Sequence, residues 1–330
     1  MLITALFCGL FAFVMAFMIS PIVFYYCRKL KAEQNILHYV EAHINKQGTP
    51  TIGGLIFIFG TVTGSFFAFQ GNYTFALITI VVMISFGVLG FLDDYIKIKE
   101  KRNEGLKVYQ KVIGQVGIST ILAFFVYNFV GTSIYIPFVQ ISVNIGIFII
   151  PLVILVFVSL VNSTNLIDGL DGLCASVSIF YLLGFVMLLT LGLGNLSTTM
   201  LVETQNLILV SCCLLGALLA FFVYNGYPAL IFMGDTGSLA IGGFLSCIAV
   251  FTGYELYILF LGLPYVITSL SDIIQVAYYK KTKKRVFLMA PLHHHFEKKG
   301  VNENKIVIIY IVITILLGII TYTLTSYFGR

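Results

Sequence analysis

The sequence predicts an all-α integral membrane protein of about ten transmembrane helices, with both termini extracytoplasmic. Three observations carry that prediction. Hydrophobic residues make up 59% of the 330-residue chain and charged residues only 10%, where a soluble domain carries about 25% charged. A folded sphere in water cannot hide that much apolar side chain while exposing so few charges. Uncharged runs of about 20 residues, the length a helix needs to cross a bilayer, recur along the whole chain, whereas barrel strands read as short alternating segments. Finally, the 19 Lys and Arg residues gather in alternate loops, all but Arg330 on one side.

Ten spans follow from the apolar runs, at about 2–26, 51–69, 75–92, 112–130, 145–163, 173–192, 206–224, 238–252, 256–279 and 305–327. The first lacks the basic lead and short core of a cleaved signal and reads as a span. The basic loops hold Arg28, Lys29, Lys31 and Lys46, then Lys97, Lys99, Lys101, Arg102, Lys107 and Lys111, then Lys280, Lys281, Lys283, Lys284, Arg285, Lys298, Lys299 and Lys305. Positive residues mark the cytoplasmic side. The net charge of +5 therefore reads as topology, and no nucleic-acid partner is expected. With no linker and no low-complexity stretch, residues 1–330 read as a single polytopic domain. Its catalytic loops lie on the cytoplasmic side at about 27–50, 93–111, 164–172, 225–237 and 280–304.

Smaller features fit the same picture. Trp is absent, so Tyr25, Tyr26, Tyr95, Tyr224 and Tyr278 supply the interfacial aromatics at span ends. The outer segment 132–144, rich in β-branched and aromatic residues around Pro137, suits a short β-hairpin. Gly60 and Gly64 form a GxxxG that suits close packing within the chain, or a seam between two copies in a homodimer. The six cysteines lie in or beside apolar runs and do not form a disulfide framework.

The acids are more informative. Of fourteen, only Glu203 and Glu255 fall on the outer side. Asp93, Asp94, Asp168, Asp171, Asp235 and Asp272 sit at cytoplasmic mouths of spans, where a carboxylate is costly unless paired or bound to a cation. Together they resemble a hard-cation site of oxygen ligands. In Asp93-Asp94-Tyr-Ile-Lys97 an intrahelical pair with Lys97 accounts for one carboxylate, and a divalent or phosphate-bound cation accounts for both. In Asn165-Leu-Ile-Asp168-Gly-Leu-Asp171-Gly172, the two acids share a face if helical, and a helix-ending turn is the alternative. In Asn225 to Ser238, which contains Phe232 and Asp235, either Asp235 or Thr236 caps the next helix or its N–H groups hold a phosphate. His293, His294 and His295 point in different directions and suit hydrogen bonds to phosphate, base or sugar better than one shared metal. His38 and His43 have no partners in the pattern.

These four stretches, LDDYIK, NLIDGLDG, NGYPALIFMGDTGS and APLHHHFEKKG, occur in this order and on one side. They resemble the polyprenyl-phosphate N-acetylhexosamine 1-phosphate transferases, and the triple His resembles the branch that handles phospho-N-acetylmuramoyl-pentapeptide. The resemblance spans essentially the whole chain. It implies transfer of that group from UDP-MurNAc-pentapeptide to undecaprenyl phosphate, yielding lipid I and UMP at the cytoplasmic face of the bacterial inner membrane. It implies Mg²⁺ as cofactor with Asp235 as its ligand, and a catalytic set of Asp93, Asp94, Asp168, Asp235 and His294. Substrate binding falls to Lys97, Lys111, Asn165, Asp171, Asn225, Phe232 (stacked on uracil), His293 and His295. Relatives often carry a basic residue where this chain has Tyr109, which makes Lys111 the expected phosphate contact. The residue matching Asp93 is the family's proposed base, but a phosphate monoester with a second pKa near 6 is already largely ionised. Orientation of the acceptor, or a covalent aspartyl-phosphate, remains open for Asp93.

Two rival functions are weighed. A UDP-N-acetylglucosamine:polyprenyl-phosphate transferase shares the chemistry but carries a different His-rich segment. A cation-coupled transporter would place its ionisable residues at mid-membrane and often show internal repeats, and neither pattern is present here.

Overall fold

The computed structural model describes residues 1–29, 48–100, 105–139 and 141–328. Lys31, Lys46, His38, His43, Lys101, Arg102 and Arg330 lie outside the described residues. The helices are α1 Leu2–Lys29, α2 Gly54–Ser65, α3 Thr74–Glu100, α4 Val108–Phe125, α5 Ile149–Ile167, α6 Leu173–Gly192, α7 Thr198–Asn225, α8 Gly234–Phe251, α9 Ile258–Leu261, α10 Leu263–Thr282, α11 Leu292–Lys298 and α12 Glu303–Phe328. Among the described residues, eight segments are long and apolar enough to cross a membrane, and α9 with α10, taken together, makes a bent ninth. The chain is therefore a multi-pass α-helical membrane protein. The expected outer hairpin is present: β1 Ser133–Ile136 pairs antiparallel with β2 Ile141–Asn144, with Ser133 opposite Asn144.

Two expected spans differ. The second is a helix of only 12 residues, about 18 Å at 1.5 Å per residue. Its flanks are tied off in other conformations. Ile52 is left-handed at φ 72°, while Gly53 N–H donates to Phe232 O (2.8 Å) and Gly54 N–H to Met233 O (3.0 Å). Beyond the helix, Gln70 N–H donates to Asn206 Oδ1 (2.9 Å). The ninth span bends by 84° between α9 and α10, where Gly262 precedes a helix that opens with Pro264 in its first turn. Proline suits a helix start and cannot continue one smoothly from the previous turn.

Contacts along the helices set direction. Glu203, near the start of α7, accepts the N–H of Phe75 at the start of α3 (2.9 Å). The chain follows α3 from there to Asp93 and Asp94 at the opposite end. Helix α1 runs parallel to α7, with Gly9 against Cys212 and Phe24 against Tyr224. In α12, Glu303 receives the N–H of Asp171 (2.7 Å), and Thr325 at the other end meets the Tyr257 hydroxyl (3.1 Å). Residues 1 and 328 thus share the end of the bundle opposite the Asp93–Asp94 pair.

Helix α8 runs through the centre and is almost wholly buried. It approaches α3 so closely that a Cβ on Gly90 would run into the backbone of Asp235 and Thr236. The GxxxG of α2 is consumed inside the chain, with Gly60 against Ala12, Ala16 and Ala217, and Gly64 against Ala12 and Cys213. This is the close-packing reading, and that face is closed to a second copy. All six cysteines are free.

Candidate active site

The central acids lie where three helix ends meet. Asp93 and Asp94 are on the last turns of α3, and Asp235 is on the first turn of α8. One carboxylate oxygen from each can be chosen so that all three lie within 4.8 Å of one another. Asp93 and Asp94 are buried, at 3% exposure each. Three such carboxylates cannot stay together without positive charge, and two lysines supply it. Lys97 Nζ lies 2.6 Å from Asp93 Oδ2, 3.0 Å from Asp235 Oδ2 and 3.8 Å from Asp94 Oδ1. Lys111, from the first turn of α4, donates to the same Asp235 Oδ2 at 2.8 Å. The intrahelical pairing of Lys97 expected from spacing is therefore real, but it is one part of a wider network.

Each acid has its own second anchor. Asp93 Oδ1 accepts the N–H of Leu106 (2.8 Å). Asp94 Oδ2 accepts both the N–H and the hydroxyl of Thr236 (2.9 and 2.7 Å), and Oδ1 accepts the N–H of Asp235 (3.2 Å). Asp94 thus caps α8 from another helix. This corrects both readings of the helix start: neither Asp235 nor Thr236 caps it, and its first N–H groups are taken by a carboxylate rather than offered to phosphate. Gly234, at φ 72°, gives Asp94 room, because a Cβ there would lie 2.5 Å from Asp94 Oδ2.

Asn165, on the last turns of α5, binds the other face of Asp235: its Nδ2 donates to Asp235 Oδ1 (2.7 Å) and Ser238 Oγ (3.0 Å), and its Oδ1 accepts from Lys111 (3.3 Å). Asp168 follows as the C-cap of α5. The helix ends there and Gly172 is left-handed at φ 74°, so Asp168 and Asp171 do not share a helical face. Part of Asp168 meets solvent, yet burial of its carboxyl, then the charges of Asp235, Asp94 and Asp171, push it up to about 8. Burial and these neighbouring charges both favour its proton-bearing form. Asp171 turns elsewhere: its Oδ2 accepts the N–H of Ala229 (2.9 Å) while its own N–H donates to Glu303. It braces the loop before α8. Asp272 is not among the three carboxylates brought together.

Asn225, at the end of α7, spans that loop by donating to Ile231 O (2.9 Å). Phe232 is pinned through its backbone, its N–H donating to Pro50 O (2.8 Å), and its side chain stays partly exposed. The three histidines divide two and one rather than pointing three ways: the rings of His293 and His294 are 4.4 Å apart between centroids. A Cβ on Gly169 would collide with His293 Nε2 and lie 2.9 Å from His294 Nε2, so these two rings lie against the loop next to Asp168. Glu297 holds His294 Nδ1 at 2.9 Å, which turns Nε2 inward. His295 faces away: its Nδ1 accepts the N–H of Leu288 (3.0 Å) and its ring meets Phe287 and Phe296. Tyr109 is exposed. Sequence reasoning missed Glu297, Glu303, Ser238 and the Leu106 N–H. Only Glu297 carried a signal, as the acid three residues beyond His294 in a helix.

Fold and site together define a polytopic membrane protein with a cluster of three carboxylates and two lysines at one end of its bundle. Residues 73–253 match the model of glycosyl transferase family 4. The chain is 43% identical over 313 residues, 94% of its length and 95% of the relative's, to a phospho-N-acetylmuramoyl-pentapeptide-transferase of Clostridium perfringens strain 13. Proteins of the same name from Clostridium botulinum strain Alaska E43 and Clostridium novyi strain NT are 42% and 40% identical over 315 and 316 residues, 95% of this chain and 94% of each relative. This chain belongs to glycosyl transferase family 4, within the group of the phospho-N-acetylmuramoyl-pentapeptide-transferases.

Proposed function

We propose that this protein transfers phospho-MurNAc-pentapeptide from UDP-MurNAc-pentapeptide to undecaprenyl phosphate, forming lipid I and UMP in peptidoglycan synthesis. The reaction runs at the cytoplasmic face of the bacterial inner membrane, with both termini on the outer side. The observation that carries this reading is the Asp93–Asp94–Asp235 cluster, with Lys97 and Lys111 bound into it, in a chain so close to transferases of that name. The clustering of Lys and Arg at the same end of the bundle supports the orientation.

An oxygen of the acceptor phosphate forms a bond to the sugar-bearing phosphorus of the donor. The P–O–P bond breaks, and UMP leaves with the electron pair. Both partners are anions, so the first task is to let them meet. Lys97 and Lys111 carry the charge for that task and are held by Asp235, ready to exchange carboxylate for phosphate oxygen. Asn165 fixes Asp235 and Lys111 relative to each other. Asp93, anchored by Leu106 N–H, orients the acceptor. Asp168, holding a proton, donates a hydrogen bond, and His293 and His294 offer ring nitrogens to the sugar or phosphate beside it.

The donor set fits Mg²⁺: three carboxylate oxygens within 4.8 Å make a hard-oxygen site, and Lys97 now sits among them as a cation would. Asp235, with Asp93 or Asp94, would hold the ion, which when bound screens the diphosphate and the charge building on UMP.

The test is UMP release by purified protein in detergent with undecaprenyl phosphate, with and without Mg²⁺, offering UDP-MurNAc-pentapeptide and UDP-N-acetylglucosamine in parallel. Mg²⁺-dependent release from the muramoyl donor alone is expected. Release from the other donor reassigns the substrate, and release from neither, in a folded sample, overturns the proposal.

A further inference from the structure

One turn deeper in the membrane than Lys111 and Asn165 lies a second polar pair. Gln115 of α4 and Asn162 of α5 exchange hydrogen bonds: Asn162 Nδ2 donates to Gln115 Oε1 at 2.8 Å, and Gln115 Nε2 donates to Asn162 Oδ1 at 3.3 Å. Gln115 is fully buried, on a helix that otherwise shows most of its surface. Asn162 is locked further by donating to Val158 O (2.7 Å). Four residues separate Lys111 from Gln115 and three separate Asn162 from Asn165. The two pairs are therefore successive rungs on facing stripes of α4 and α5. The upper rung, Lys111 to Asn165, ends on Asp235.

Surrounded by lipid, two apolar helices slide and rotate against each other with little penalty, because the tails outside are as apolar as the partner. Amide pairs remove that freedom, since any other register leaves donors and acceptors unpaired in hydrocarbon. Helix α4 needs such a fix. Its charged end is tied to α3 just before the helix begins, by Leu106 N–H to Asp93 Oδ1 (2.8 Å), but within the helix the capping interaction from Lys107 N–H to Gln110 is local and the contact of Gly114 with Leu89 is apolar. The reach of Lys111 to Asp235 depends on the depth and rotation of α4.

We propose that Gln115 and Asn162 are positioning residues that set the register of α4 on α5 and so hold Lys111 and Asn165 against Asp235. They touch no substrate. What they place is the ammonium that receives a phosphate oxygen, so the kinetic part of the proposal rests on the transferase reading, while the placement of Lys111 does not.

The test follows Lys111 directly. An amine-reactive acylating reagent is applied to the full-length protein in detergent, and modification of Lys111 is timed by mass spectrometry beside UMP release. Breaking the pair with Gln115→Leu or Asn162→Leu frees Lys111. Its labelling rate should rise, and kcat should fall with KM little changed, by about threefold to about twentyfold, the span of single hydrogen bonds in membrane helices. Exchanging the two side chains (Gln115→Asn with Asn162→Gln) keeps the pair and should bring both values back near wild type, whereas Gln115→Asn alone should not. Unchanged Lys111 labelling in a folded Leu variant, or activity lost without a change in labelling, overturns the proposal. If the Leu variants fail to fold, the exchanged pair decides: behaviour no better than Gln115→Asn alone overturns it. Altered labelling in a protein without transferase activity would retain the clamp and reject the enzymatic reading.

Discussion

Asp94 closes the N-terminus of the helix that carries Asp235. Its carboxylate takes the N–H and the hydroxyl of Thr236 at 2.9 and 2.7 Å, although the two residues are 142 positions apart. Adjacent Asp93 instead has Lys97 at 2.6 Å and the Leu106 N–H. Neighbours in sequence thus share the cluster but differ in their other bonds: Asp94 also sets where α8 begins, and Asp93 bonds Lys97 most closely and the segment before α4.

That division predicts a split between two variants. Asp94→Ala leaves the buried Thr236 hydroxyl and two helix N–H groups without their acceptor and should cost about 1–3 kcal/mol of stability. Asp93→Ala should lose activity with a smaller change in melting. Thermal unfolding in detergent checks both, and an unchanged midpoint for Asp94→Ala would remove the capping role.

Asp235 holds two lysines and Asn165 at once. Asp235→Ala should lower turnover by at least about a hundredfold, the scale of losing a group that organises transition-state charge, while the protein stays folded. UMP release and gel filtration measure the two. Near-normal activity would overturn the assignment of Asp235 to the metal.

Asp168 sets a pH dependence. Its carboxyl is pushed up to about 8 in the folded chain, against about 3.9 when unfolded. Between those values the folded chain keeps a proton that the unfolded chain releases. The contribution is full below about pH 4 and is lost as pH rises through about 8. Melting midpoints in metal-free buffer should fall over that window, and Asp168→Asn should flatten the profile. An Asn variant as steep as wild type would place the titration elsewhere.

The His run should divide. His294, set by Glu297 against the Gly169 turn, should lose activity on replacement by Ala with little loss of stability. His295, which ties down Leu288 and packs on Phe287 and Phe296, should lose stability first. Equal effects on both measurements at the two positions would contradict this split.

The membrane class, the two-sided distribution of charge and the outer hairpin were all legible in the chain, because each depends on composition or on near neighbours. Apolar runs long enough to span register without any knowledge of what they pack against. The three carboxylates that cluster, Asp93, Asp94 and Asp235, were legible too, since carboxylates at a membrane edge are costly wherever they point. Tertiary structure decided their jobs. It cut the second expected span to a 12-residue helix, by hydrogen-bonding the residues before it to the Phe232 loop. It turned Asp171 to Ala229 and Glu303, sent His295 away from His293 and His294, and made Asp94 the cap of a helix far along the chain. Apart from His295, held by Leu288 only seven positions away, those outcomes rest on hydrogen bonds between residues tens to more than a hundred positions apart. Local spacing carries no record of such bonds, because the energy that selects them exists only once the helices have packed.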